Sequence, residues 1–234
     1  MSDNTNPEVN GADMNGAESL VRTLIAGGVD VCFTNPGTSE MHFVAALDKV
    51  PGMRCVLGLF EGVVTGAADG YYRMLGKPAS TLLHLAPGLA NGLANLHNAK
   101  KADSGVVNIV GEHATYHIQY DAPLTADIEG TAAPMSHWVK TSPTSQTIAA
   151  DGALAIEAAT QTPGQIATLI LPADTAWGPA DAVVEATAPP ALPKASDAAV
   201  KAAAEMLRTS ETATLLMGGG ALRHRSLELA GKIA

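Results

Sequence analysis

Apolar residues recur along this chain with two alternating periods. Spacings of three and four mark helices, and short unbroken apolar runs mark strands. Residues 16–26 predict a helix with Leu20, Leu24 and Ile25 on one face. Residues 29–33 follow as a strand, ended by Asn35-Pro36-Gly37, and residues 38–47 as a second helix. The alternation continues with strand 54–59, helix 61–75, strand 79–85, helix 89–101 and strand 106–110. Residues 111–147 read as irregular, before helix 148–160 and strand 165–171. Unbroken apolar strands, as opposed to alternating ones, are covered on both faces. The expected fold is therefore α/β: a parallel sheet of about six strands between two helical layers.

The pattern changes after residue 178. Residues 179–195 are rich in Ala and Pro, with Pro179, Pro189, Pro190 and Pro193 among them. That composition predicts an extended linker between a first domain (16–178) and a second segment (196–234). The second segment predicts helix 197–208, strand 212–217 and a helix to the last residue, as at the start of another α/β domain. Gly218-Gly219-Gly220 lacks the GxGxxG spacing, and no acid can follow about twenty residues on, so it reads as a tight turn. Residues 1–15 are polar, without a signal-peptide core, and read as a disordered lead-in.

Composition narrows the function classes. At 47% hydrophobic the chain can bury a sizeable core, and with only 4% aromatics its helices should pack closely on the sheet. A net charge of −9 argues against a nucleic-acid surface. No apolar stretch reaches the roughly 18 residues of a membrane span. Cys32 and Cys55 both fall in apolar strand runs and read as buried, reduced thiols, which suits a cytoplasmic setting.

The candidate chemistry begins at Glu61, a carboxyl group at a strand-to-helix junction beside Leu57, Leu59, Phe60 and Val63. Apolar walls there would desolvate its charged form and suit it to proton transfer. The rival reading is an acid stabilised at a helix N-terminus. Three other segments end neighbouring strands: Asn35-Pro36-Gly37-Thr38-Ser39-Glu40, His84-Leu85-Ala86-Pro87-Gly88 and Gly111-Glu112-His113. Each has a plain structural explanation as a turn, a cap or a core histidine. Together they share the sheet edge where open parallel sheets bind ligands. His113, His117, Tyr116 and Tyr120 cluster just beyond. A metal there would lack a third ligand, so the cluster reads as a loop bordering a substrate cavity or a subunit interface.

These residues resemble a known family. Asn35 to Glu40, Glu61 with Gly66-Ala67-Ala68-Asp69-Gly70-Tyr71, Pro87-Gly88-Leu89-Ala90-Asn91-Gly92 and Pro172-Ala173-Asp174 are similar to the N-terminal, pyrimidine-binding domain of thiamine diphosphate enzymes. Acetolactate synthase and benzoylformate decarboxylase belong to that family. The resemblance implies that Glu61 hydrogen-bonds the aminopyrimidine of the cofactor and drives deprotonation of its reactive carbon. Pro36, Gly37 and Gly88 would border the cofactor. It further implies Thr38 at the substrate carboxylate or carbonyl, and His84 as a proton shuttle near the reacting carbon. The Leu83-His84-Leu85-Ala86-Pro87-Gly88 run follows the decarboxylase pattern while keeping the synthase's Pro-Gly, and Pro123-Leu124-Thr125 departs from the synthase's Phe-Gln-Glu. Gly111-Glu112 also replaces the synthase's Gly-Gln.

The implied substrate is a 2-oxo acid, with pyruvate and aryl glyoxylates as candidates. The implied assembly is a homodimer or homotetramer in which a second subunit completes each site. The Mg2+ and diphosphate site is implied in a C-terminal domain marked by Gly-Asp-Gly, which this sequence does not contain. No metal ligand is therefore expected among these residues, and none of them assigns FAD. The chain alone is expected to turn nothing over. A rival class is a binding module that needs a separate diphosphate-binding partner.

Overall fold

The computed structural model describes residues 14–189, 191–222 and 224–234. The chain divides into one compact unit ending at Pro189 and a second over the remaining residues. In the first unit the elements run β1 (Met14–Asn15), α1 (Gly16–Ala26), β2 (Val31–Asn35), a 3-10 turn (Thr38–Glu40), α2 (Met41–Lys49), β3 (Arg54–Leu57) and α3 (Glu61–Leu75). They continue with β4 (Ala79–Leu83), α4 (Leu85–Lys101), β5 (Val106–Glu112), α5 (Ile128–Ala132) and β6 (Trp138–Thr141). The unit closes with α6 (Ile148–Ala159), β7 (Ile166–Pro172), α7 (Ala173–Trp177) and β8 (Pro179–Ala180).

Six strands form one parallel sheet in the order β3-β2-β4-β5-β7-β6. Successive side chains of a strand point to opposite faces, and this sorts the apolar runs into two cores. Leu82, Val107, Ile109, Ala167 and Leu169 pack with α1, α2 and α6. Their neighbours Leu83, Val106, Val110, Ile166 and Ile170 pack with α3, α4 and α5. The result is the three-layer arrangement expected from the unbroken strands.

A polar line crosses the second of these faces. Thr81 Oγ1 donates to Asn108 Oδ1 at 2.7 Å, and Asn108 Nδ2 donates to Thr168 Oγ1 at 3.0 Å. Ser136 Oγ lies 2.7 Å from the same Thr168 hydroxyl. Thr81 stands opposite Asn108 and Asn108 opposite Thr168 in the strand register. Sliding any of these strands by one residue would strand buried polar atoms, so the line pins the register that aligns the strand ends.

The structure corrects several expectations. Met14 and Asn15 form β1 against β8, and Asn15 Oδ1 caps α1 by accepting from the Glu18 N–H at 2.9 Å. The rest of the predicted lead-in, residues 1–13, lies outside the described residues. The first half of the predicted linker runs along the first unit. Ser19 Oγ donates to the Ala182 carbonyl at 2.6 Å, and the Thr187 N–H donates to Glu157 Oε1 at 2.7 Å. Residues 138–141, read as irregular, form the edge strand β6 beside β7.

In the second unit, α8 (Asp197–Thr209) is capped by Ser196 Oγ and α9 (His224–Ile233) closes the chain. Gly219 adopts φ +54° in the glycine turn before α9. The strand expected over residues 212–217 is not formed. A lone strand has no neighbour to satisfy its N–H and C=O groups, and Leu216 is 96% exposed.

The two cysteines also part company. They sit side by side on β2 and β3, both free, but only Cys32 is buried. Cys55 is exposed because β3 is a sheet edge with no covering strand. Burial pushes the Cys32 thiol up to about 12, and partial desolvation raises the Cys55 thiol as well. A raised thiol has little thiolate near neutral pH and gains it as pH increases. Iodoacetamide should therefore label Cys55 of the native protein slowly at about pH 7 and several-fold faster at about pH 9. Cys32 should react only after denaturation. Equal labelling of both thiols in the folded chain, read by mass spectrometry, would contradict this packing.

Candidate active site

The carboxyl ends of β2, β3, β4 and β5 meet at one edge of the sheet. Asn35, the last residue of β2, donates from Nδ2 to the Gly58 carbonyl at 2.8 Å and so ties together the loops after β2 and β3. Phe60 is the N-cap of α3 and provides no side-chain cap. Glu61 is thus the first helical residue, and its carboxylate turns to the neighbouring helix. Glu61 Oε2 accepts from Asn91 Nδ2 of α4 at 3.0 Å. Glu61 Oε1 has no protein hydrogen bond among the described residues.

Two small-residue contacts hold α3 against α4. Thr65 Oγ1 donates to the Gly92 carbonyl at 3.0 Å, and Asn95 Nδ2 donates to the Gly62 carbonyl at 2.6 Å. A Cβ at Gly92 would lie 2.9 Å from Thr65 Cγ2. A Cβ at Gly88 would lie 3.3 Å from Glu61 Oε1 and 3.5 Å from His84 Cβ. Glu61 and His84 therefore flank the same glycine.

His84 is the N-cap of α4, which starts four residues earlier than the sequence predicts. Pro87 does not prevent this, because the first turn of a helix needs no N–H partner there. The Gly88 N–H donates to the His84 carbonyl at 2.8 Å. Between them Leu85 is fully buried with φ +52°, a left-handed conformation costing a leucine roughly 1–2 kcal/mol. Such strain, held in place by packing, is a mark of functional sites.

The imidazole of His84 is held from below. Its Nδ1 lies 2.8 Å from Glu40 Oε2, and that oxygen also accepts from the Gly37 N–H at 2.7 Å. A Cβ on Gly37 would collide with the imidazole, so only glycine fits between loop and ring. Glu40 is 1% exposed, and its Oε1 is buried without a partner. That oxygen packs on Gly111, where a Cβ would also collide. Next to it, Glu112 is buried and accepts from the His113 N–H at 2.7 Å. Burial raises the Glu112 carboxyl above its ordinary range, and the charge of Glu40 adds to the shift.

Glu61, His84, Gly37 and Gly88 thus come together, with Pro36 adjoining. Thr38 sits at the rim, exposed, without a hydrogen bond to Glu61 or His84. It borders an open cavity of about 600 Å3 with Gly37, Met41, Val44 and Asp48, and a smaller one of about 200 Å3 with His113, His117 and Trp177. The His113 and His117 rings lie 5.8 Å apart. Among the described residues no three potential ligands gather as a metal site.

The expected burial of Glu61 is not met: it is partly exposed. Its apolar neighbours Leu59 and Phe60 are 89% and 50% exposed, since no strand among the described residues pairs with the outer edge of β3. Glu40, Glu112 and Asn91 had no role assigned from sequence. The spacing of Gly37 and Glu40 carries a signal for the first of these, because an acid three residues after a cap position reaches back to the cap N–H.

A family model described as thiamine pyrophosphate enzyme, N-terminal TPP binding domain, matches residues 14–137. The chain is 55% identical over 220 residues to the IlvX protein of Mycobacterium tuberculosis, whose name places it among acetolactate synthase large subunits. That match covers 94% of this chain and 42% of the relative. It is 32% identical over 217 residues to benzoylformate decarboxylase of Pseudomonas aeruginosa, covering 88% of this chain and 40% of that one. The structure of a thiamine diphosphate-dependent 4-hydroxybenzoylformate decarboxylase from Rhodococcus jostii RHA1 shares the fold, with a TM-score of 0.70 and 24% identity. It matches over 85% of this chain and 38% of its own. The chain spans about two fifths of the length of these relatives. It belongs to the thiamine pyrophosphate enzymes, matching their N-terminal cofactor-binding domain.

Proposed function

We propose that this chain is the pyrimidine-binding part of a thiamine diphosphate-dependent 2-oxo acid decarboxylase or carboligase, acetolactate synthase-like in overall resemblance. The observation that carries the reading is the placement of Glu61. Its Oε2 accepts from Asn91, its Oε1 has no protein hydrogen bond among the described residues, and Gly88 opposite keeps any side chain off that oxygen. The donor set fits an aminopyrimidine: a carboxylate for a ring nitrogen, bordered by Pro36, Gly37 and Gly88.

Bound there, thiamine diphosphate would supply a carbon nucleophile and an electron sink for loss of CO2. Glu61 would hold a ring nitrogen of the pyrimidine through its carboxylate. His84 presents an imidazole that would give or take a proton at the bound substrate. Thr38 offers a hydroxyl at the rim, where a substrate carboxylate or carbonyl would enter. The diphosphate and its Mg2+ belong to a separate domain in this reading, and no residue of this chain is assigned to them.

A second subunit completes the site in this proposal, giving a homodimer or homotetramer. The exposed apolar edge beside Glu61, with Leu57, Leu59, Phe60 and Val63, supports it. Large exposed apolar patches mark protein contacts. Among the described residues no helix is long and apolar enough to cross a membrane. Two free cysteines are in keeping with a cytoplasmic setting. His84, gripped by a buried acid, favours a benzoylformate decarboxylase-type pocket as the second reading.

Two measurements test these assignments. In the full-length protein, Glu61→Gln should slow hydrogen exchange at the cofactor's reactive carbon by about a hundredfold or more, with the fold unchanged by circular dichroism. Unchanged exchange with cofactor bound would remove Glu61 from its role. Incubation with pyruvate and with benzoylformate separates the readings of activity. Acetolactate from pyruvate supports a synthase, benzaldehyde from benzoylformate supports a decarboxylase, and neither product contradicts both.

A further inference from the structure

Among the described residues Glu40 is the most deeply buried acid at the sheet edge, and one of its oxygens has no hydrogen-bond partner. Leaving a buried polar group unsatisfied costs about 1–3 kcal/mol, and more for a charged one. Among the described residues no Lys or Arg forms an ion pair with it. Among the described residues its one ion-pair partner is His84, and the neighbouring acid is Glu112. A hydrophobic residue would fill this space at lower cost, unless the carboxylate is needed by what it touches.

What it touches is specific. Oε2 accepts from the Gly37 N–H and meets His84 Nδ1, both within 2.8 Å. An ionised carboxylate is acceptor-only, so with Glu40 ionised Nδ1 is the donor in this contact. That assigns the proton of neutral His84 to Nδ1 and leaves Nε2 bare. Nε2 has no hydrogen bond among the described residues, on a side chain 24% exposed. We propose that Glu40 is the positioning residue for His84: it fixes the imidazole's tautomer and orientation while holding, through the same oxygen, the loop that carries Pro36, Gly37 and Thr38. Loop geometry and imidazole proton state are thereby coupled through one carboxylate. The inference rests on the proposed role of His84 for its catalytic meaning, and on the contacts alone for its geometry.

Glycine makes the arrangement possible on two sides. Gly37 lets the loop press on the ring, and Gly111 lets Oε1 lie against β5. A capping role alone would explain the Gly37 contact but would not require the ring contact.

The test reads the ring itself. In the 15N-histidine-labelled chain, long-range proton–nitrogen spectra assign His84 by its loss in His84→Asn. The expected result in the unmodified chain is a protonated Nδ1 and a bare Nε2. Glu40→Ala should shift His84 toward the Nε2-protonated form while amide signals of α3 and β5 keep their positions. The opposite tautomer in the unmodified chain overturns the proposal, as does an unchanged His84 signal in a folded Glu40→Ala chain. Should that variant fail to fold, the tautomer of the unmodified chain still decides. In the full-length protein, Glu40→Ala should lower kcat by about tenfold or more with KM within a few-fold. A KM-only effect would overturn the positioning role. A correct tautomer in a protein that turns over no 2-oxo acid would leave Glu40's geometry standing and remove the proposed function instead.

Discussion

The close approach of α3 to α4 is the constraint on which the site depends. Helix axes can come this near only where side chains are small, and here Gly66 and Gly92 meet Asn95 and Thr65. Two side-chain hydrogen bonds to backbone carbonyls, Thr65 to Gly92 and Asn95 to Gly62, lock the contact. Each contributes about 1 kcal/mol to stability, but their larger effect is on position. They set the start of α3 over the first turn of α4, so that Glu61 faces Gly88 and Asn91. A methyl group at Gly92 would push on Thr65 and lift the Glu61 carboxylate away from its counterpart.

Beneath that contact the sheet carries a second set of acids with a different task. Glu61 is partly open, with one oxygen unoccupied by protein. Glu40 and Glu112 are buried, and the contacts they make are to backbone N–H groups and one imidazole, with Glu40 Oε1 left unpaired among the described residues. The contrast follows from topology. Glu61 lies beside the uncovered β3 edge, whereas Glu40 and Glu112 lie over β5, near the middle of the sheet. Acids at one rim are thereby divided between a group that can meet a ligand and groups that arrange the neighbours of that ligand.

Much of this was legible in the sequence. The helices 16–26 and 61–75 have the bounds predicted, because Asn15 caps the first and Gly76, at φ +69°, ends the second. The four interior strands β2, β4, β5 and β7 were visible as apolar runs because both faces are covered, and the edge strand β3 was visible from its apolar residues although it is exposed. β6 was hidden because its Trp-Val-Lys-Thr run is short, half polar and at an edge. The start of α4 was hidden because Pro87 reads as a breaker, and only the Gly88 N–H bond to the His84 carbonyl shows that the helix begins before it. Cys55 looked buried because a sequence does not say which strand is outermost. The Glu61, His84, Gly37 and Gly88 grouping was legible from motif spacing and resemblance. The Glu40 contact to His84 was not, since it joins residues 44 positions apart through a side-chain geometry that no local pattern encodes.

The account stands on Glu61 as the acceptor for a pyrimidine nitrogen at the sheet edge. A crystal structure of the full-length protein with thiamine diphosphate tests it most directly. The account places a Glu61 carboxylate oxygen within about 3 Å of a pyrimidine nitrogen. A pyrimidine bound elsewhere, with Glu61 facing only water, would contradict it.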